Sequence, residues 1–190
     1  MFERFTERAI NVVSESQKIA KDMGCSEVVP EHLLLGLISE ARGVSLKLFR
    51  MYGVTLDAAK DEAVKNVIKT SKLVNNIPFS HSFKELLKHT LDLASKSGNN
   101  NILFEHLFLS VLTDKNSSIS TILSKFNFDV YNARDILTKL VQKKIKRLEH
   151  PEIEEDDDKN SGFESIYEGK ELADVLNRAV SKLSAKGYEI

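Results

Sequence analysis

Shifting the 190-residue chain by 74 positions lays Phe5 to Val67 over Phe79 to Val141 without a gap. Phe5 meets Phe79, Ala20 meets Ala94, Gly24 meets Gly98, and Glu31-His32-Leu33 meets Glu105-His106-Leu107. Leu35 meets Leu109, Ala59 meets Ala133 and Asp61 meets Asp135, while Val12, Val13, Ile19, Leu48 and Tyr52 meet apolar counterparts. A duplication of this length is a unit of about 70 residues, too long for one turn of a short-repeat solenoid. The fold must therefore be made of two copies of one small architecture.

Each unit reads as four helices. Residues 6–23 place Ala9, Ile10, Val12, Val13, Ile19, Ala20 and Met23 on one stripe. Gly24 follows as the left-handed residue that ends such a helix. A second helix starts at Pro30, whose missing N–H is unpaired in a first turn anyway, and Glu31 beside it suits the positive end of the helix dipole. Leu33, Leu34, Leu35, Leu37 and Ile38 make that helix apolar on all sides, so it is expected at the centre. The pattern predicts a third helix over 45–52, stopped by Gly53, and a fourth over 57–69, with Asn127 standing in place of Gly53 in the second unit. The expected fold is all-α: two four-helix repeats, 5–69 and 79–143, packed as a pseudo-two-fold eight-helix bundle within a domain of residues 1–145.

Charge marks where that domain ends. Residues 1–150 carry 22 Lys and Arg against 17 Asp and Glu, whereas 151–190 carry 5 against 11. Residues 146–165 read as an acidic linker, since the run 152–158 has too little to bury. Residues 166–190 read as a helix with the rhythm of 6–23, which suits the start of a third repeat in a fragment of a longer protein. A free-standing accessory protein whose last helix packs on the bundle is the alternative.

With 42% hydrophobic and 29% charged residues the chain can bury a core. Its single Cys25 cannot form an intrachain disulfide, and no Cys or His cluster has zinc-site spacing. A reducing compartment is expected. No apolar run approaches the roughly 20 residues that span a bilayer, so no membrane partner is expected. The basic run 142–147 lacks interleaved aromatics and suits a helix C-terminus better than nucleic acid.

The phrases MFERFTERA, EHLLLGL and RGVSLKLFRMYGV, with Gly24 between the first two, resemble the N-terminal repeat domain of the Clp/Hsp100 unfoldases, most closely the ClpC type. The resemblance covers roughly residues 1–145 and implies a Clp repeat domain on an ATP-driven hexamer. Such a domain receives unfolded or tagged substrates and adaptor proteins for the Clp ATPase core and its peptidase. It implies a bacterial cytoplasm or a plastid stroma. ATP and magnesium are expected only in a longer parent, because the one Gly-Lys pair, Gly169-Lys170, is followed by Glu171 and has Glu164 where a phosphate-binding loop needs glycine. No cofactor, metal or catalytic residue is expected in this chain, and a monomer is the default.

The resemblance also carries candidate sites. Glu31 and Glu105 match the glutamate of a G-T-E-H phrase that in some bacterial relatives receives phosphorylated arginine, a carboxylate accepting the guanidinium fork. Here the threonine is Pro30 in one unit and Phe104 in the other, which removes hydroxyl partners for a phosphate. The plainer reading is that both glutamates complement helix dipoles, worth about 0.3–1 kcal/mol each. Phe2, Phe5 and Phe79 are candidates for a groove between the repeats where adaptors dock, with core packing as the plainer role of Phe5 and Phe79. His32 and His106 offer a third class, a small enzyme, against the simpler reading of histidines bonded to nearby backbone.

Overall fold

The computed structural model describes residues 3–68, 77–115 and 118–149. These form eight helices: α1 Glu7–Asp22, α2 Pro30–Ser39, α3 Gly43–Met51, α4 Leu56–Ala63, α5 His81–Lys96, α6 Phe104–Thr113, α7 Ile119–Lys125 and α8 Val130–Glu149. The two-repeat, all-α plan holds among the described residues. Phe2 and the proposed C-terminal helix 166–190 lie outside them.

Local chemistry sets the helix ends. Thr6, Thr55 and Ser80 each turn a side-chain oxygen onto a backbone N–H three residues on, capping α1, α4 and α5. Gly24 and Gly98 end α1 and α5 at φ 70° and 79°, and Asn127 takes φ 49° where its counterpart Gly53 takes 65°. Asn is among the few non-glycine residues that enter this region readily.

Three expected boundaries are corrected. The fourth helix, expected over 57–69, stops at Ala63. There the chain tightens into three-residue-spaced bonds, Lys65 N–H to Glu62 O and Asn66 N–H to Ala63 O, and the Asn66 side chain donates back to Glu62 O. Asn competes for backbone groups in this way, and the flanking Val64 and Val67 are β-branched. The third helix starts at Gly43 rather than 45, because Ser45 Oγ accepts the Arg42 N–H and caps the turn. Residues 146–149, expected to open the linker, belong to α8, which runs to Glu149. Lys146 and Arg147 suit its C-terminal dipole.

The core sits where α2 and α6 pack on each other, with α1 laid on α2 and α5 on α6. Leu33, Leu34, Leu35, Leu37 and Leu107 are fully buried. Aromatic rings from both repeats seal the boundary: Phe49 stacks on Phe108 at 4.8 Å and lies 6.0 Å from Phe128. Gly36 lets α1 approach α2 closely, since a Cβ there would sit 2.5 Å from both Val12 O and Ser16 Oγ. In the second repeat the same crossing carries Ser110, whose hydroxyl accepts from Thr90 Oγ1 at 2.8 Å.

The repeats also exchange backbone. The segment leading into α1 pairs with the α5–α6 loop, Thr6 N–H donating to Ile102 O and Ile102 N–H to Arg4 O. The segment leading into α5 pairs with the α1–α2 loop, Val28 N–H donating to Pro78 O and Ser80 N–H to Val28 O. Among the described residues Phe5 bridges to Ile102 and Phe79 to Val28, and the two bridges are related by the 74-residue shift. Each repeat thus supplies the backbone partners that the other repeat's entry segment needs.

Candidate functional site

The two EH phrases open α2 and α6, the most buried helices, so their first-turn side chains start at the boundary between repeats. Both histidines act as caps. His32 Nδ1 accepts the Val29 N–H at 3.0 Å, and His106 Nδ1 accepts the Leu103 N–H at 3.1 Å. That fixes the proton on Nε2 in each neutral ring. Burial drives the His32 pKa down to about 4, and burial also lowers that of His106 against the opposing pull of Glu105. With the Nδ1 lone pair occupied, neither ring is placed as a general base. The repeats differ at the far nitrogen. His106 Nε2 meets Ser97 Oγ at 3.0 Å, whereas His32 Nε2 is buried without a partner, because Met23 holds the position equivalent to Ser97.

Glu31 and Glu105 are buried, at 7% and 3% exposure, and reach opposite ways across the boundary. Glu31 Oε1 accepts from the backbone N–H of Ser118 at 3.2 Å and from its hydroxyl at 2.6 Å, at the start of α7 in the other repeat. Among the described residues no cation pairs with it. Glu105 Oε1 instead accepts from Lys144 Nζ at 2.9 Å and faces Arg8 Nη1 at 3.8 Å. The Arg8 guanidinium lies 3.9 Å over the Phe104 ring, and its Nη2 donates to Glu40 O at 3.1 Å and Ser45 Oγ at 3.2 Å. Desolvation lowers the Arg8 pKa and Glu105 opposes that shift, which leaves a guanidinium that is cationic at any physiological pH.

Around Glu31 the surface opens. A cavity of about 500 Å³ is lined by Pro30, Glu31 and His32 of α2, Cys25 and its neighbours before it, Asn66 to Ile68 after α4, and Ser80 to Ser82 at the start of α5. A second, of about 460 Å³, runs along α5 past His81, Ser82, Glu85 and His89 to Asp114 beyond α6. Cys25 is buried, in keeping with a space-filling residue.

The aromatic candidates sit differently. Phe5 is 7% exposed and joins the core. Phe79 is half-buried and stacks on Phe83 at 4.8 Å. Both serve the inter-repeat bridges.

The sequence reading passed over Arg8, Lys144, Ser82 and Ser118. Arg8 against Ser82 is one of many charged-to-neutral mismatches in the aligned repeats, and nothing in the alignment singles it out. Lys144 and Ser118 carried no mark either, because only the fold brings them to the glutamates.

The Clp repeat (R) N-terminal domain model matches residues 4–126 and again 78–189. The chaperone protein ClpC1, chloroplastic, of Oryza sativa subsp. japonica is 35% identical over 142 residues, 74% of this chain and 16% of that protein. A Guillardia theta relative, a ClpA homologue of the ATP-dependent Clp protease ATP-binding subunit, is 34% identical over the same length. The chain thus spans about a sixth of the curated relatives it matches. Among solved structures, the N-terminal domain of the chaperone ClpD from Arabidopsis thaliana aligns with TM-score 0.60 and 30% identity, over 77% of this chain and 97% of that one. The Hsp104 N-terminal domain from Candida albicans aligns with TM-score 0.63 at 19% identity, over 73% and 91%, a likeness of fold.

Proposed function

The chain belongs to the Clp repeat N-terminal domain family, and from that premise we propose that it is the substrate- and adaptor-receiving domain of an ATP-driven Clp unfoldase. Glu31 is the point at which a basic side chain of the incoming polypeptide is held. One observation carries this: a buried carboxylate with no paired cation among the described residues, opening onto a cavity of about 500 Å³. A buried charge satisfied only by neutral donors gains from a cationic partner, and a guanidinium matches a carboxylate in a two-point geometry.

The unfolding work lies in the ATPase modules of a longer parent, and degradation in the peptidase it feeds. This domain contributes recognition by surface and cavity, with no bond made or broken. The chloroplastic names among its relatives support a plastid stroma, and a bacterial cytoplasm suits the single cysteine equally.

Calorimetric titration with one unfolded peptide in two forms, bearing arginine or phosphoarginine, tests the reading. Binding that is lost in Glu31→Ala supports it. Binding unaffected by Glu31→Ala overturns it, and preference between the two forms reports whether a phosphate is tolerated beside Pro30.

A further inference from the structure

The internal duplication lets one half of the molecule report on the other. Under the 74-residue shift Arg8 corresponds to Ser82, Phe104 to Pro30, Glu105 to Glu31, and Glu40 to Asp114. In one half, the Arg8 side chain spans from Glu40 O to the Phe104 ring and the Glu105 carboxylate. In the other half those three landmarks are Asp114, Pro30 and Glu31, and the residue between them is a serine. The space along that path is open there: the cavity beside Pro30 and Glu31 and the cavity beside Asp114 share Ser82 and His81 as lining.

We propose that the two pseudo-equivalent sites have opposite states, the one at Glu105 filled by the chain's own Arg8 and the one at Glu31 left open by Ser82. This rests on the reading of Glu31 as a receptor for a basic side chain, and adds that the position of Arg8 and Ser82 decides which site receives. Arg8 already makes the contacts an incoming guanidinium needs: a carboxylate, a backbone carbonyl and the face of a ring. Lys144 adds a second cation at Glu105, so its Oε1 faces two cations, while Oε2 is buried without a hydrogen-bond partner. At Glu31 the position of Arg8 is held by Ser82 and among the described residues no cation pairs with the carboxylate, and the two cavities share His81 and Ser82 on the way to Asp114. A bound peptide therefore lies across Ser82, its arginine on Glu31 and its neighbouring residues along α5.

The test is an NMR titration of the full chain with the blocked peptide acetyl-Gly-Arg-Gly-amide, with the glutamine peptide as reference. In the unmodified protein the amide shifts are expected at Ser82, Glu31 and Ser118, with Arg8, Phe104 and Glu105 unmoved. Ser82→Arg is expected to abolish the response by filling the open site, and Arg8→Ser to add a second response at Glu105. Equal responses at Glu31 and Glu105 in the unmodified protein, or a full response retained in Ser82→Arg, overturn the proposal while leaving the receptor reading intact. No response at either glutamate overturns both. Because Arg8→Ser removes a structural contact and its fold is at risk, the Ser82→Arg arm decides alone if that variant fails.

Discussion

Ser118 donates both its backbone N–H and its hydroxyl to one oxygen of Glu31, 87 residues away and in the other repeat. The carboxylate thus caps the start of the seven-residue α7, the shortest of the eight described helices, as well as meeting the dipole of its own helix α2. Hydrogen bonds to an ionised acceptor contribute more than neutral ones, about 1.5–3 kcal/mol.

Ser118→Ala is therefore expected to lower stability by about 1–2 kcal/mol, removing the hydroxyl donor and leaving the N–H. Urea unfolding measures it. A double-mutant cycle with Glu31→Ala is expected to show a coupling near the single-mutant cost, and additive effects would mean the two side chains do not act as a pair. Helix content at room temperature is expected to persist in all three variants, since the core of α2 and α6 is untouched.

The buried histidines make stability depend on pH in a defined direction. The folded-state pKa of His32 lies at about 4, below its ordinary 6.5. As pH falls below 6.5 the unfolded chain takes up the proton first, so stability is whole above that pH and is lost progressively down to about 4. The expected loss from His32 between about pH 7.5 and about pH 5 is about 2 kcal/mol, and His106 adds to it in the same direction. Urea melts at the two pH values measure the loss, and His32→Asn is expected to flatten the dependence. An unchanged slope in that variant would place the titration elsewhere.

The α1–α2 crossing depends on the missing side chain of Gly36. A methyl there meets Val12 O and Ser16 Oγ at 2.5 Å, and one of these is backbone, so the helices must separate. Gly36→Ala is expected to cost about 1–3 kcal/mol in thermal or urea unfolding, despite alanine's higher helix propensity. Ser110→Ala at the equivalent crossing removes the bond from Thr90 and is expected to cost about 1 kcal/mol. A neutral Gly36→Ala would show that the crossing has slack the geometry does not suggest.

Much of this molecule was legible in its sequence, for physical reasons that can be named. The left-handed stops at Gly24 and Asn127 and the proline start of α2 are local chemistry. The burial of α2 and α6 follows from runs of leucine and phenylalanine with no polar face. The early end of α4 was harder, since it turns on Asn66 folding back onto Glu62 O against a run that otherwise suits a helix. The two glutamates were found by their repetition, but their inequality was not. It depends on Ser118 and Arg8, which reach the glutamates from the opposite repeat, on Lys144, which α8 brings against α6 within the second repeat, and on one mismatch, Arg8 against Ser82, that repeat alignment displays and periodicity does not weigh.

The role proposed for Glu31 is to receive a basic side chain through its negative charge. The most direct measurement is calorimetric titration of Glu31→Gln with an arginine-bearing unfolded peptide, beside the unmodified protein and Glu105→Gln. Glutamine keeps the shape and an oxygen acceptor for Ser118 but removes the charge. Glu31→Gln is expected to lose the binding with its fold intact, and Glu105→Gln to retain it. Binding at Glu31→Gln equal to that of the unmodified protein would overturn the role proposed for Glu31.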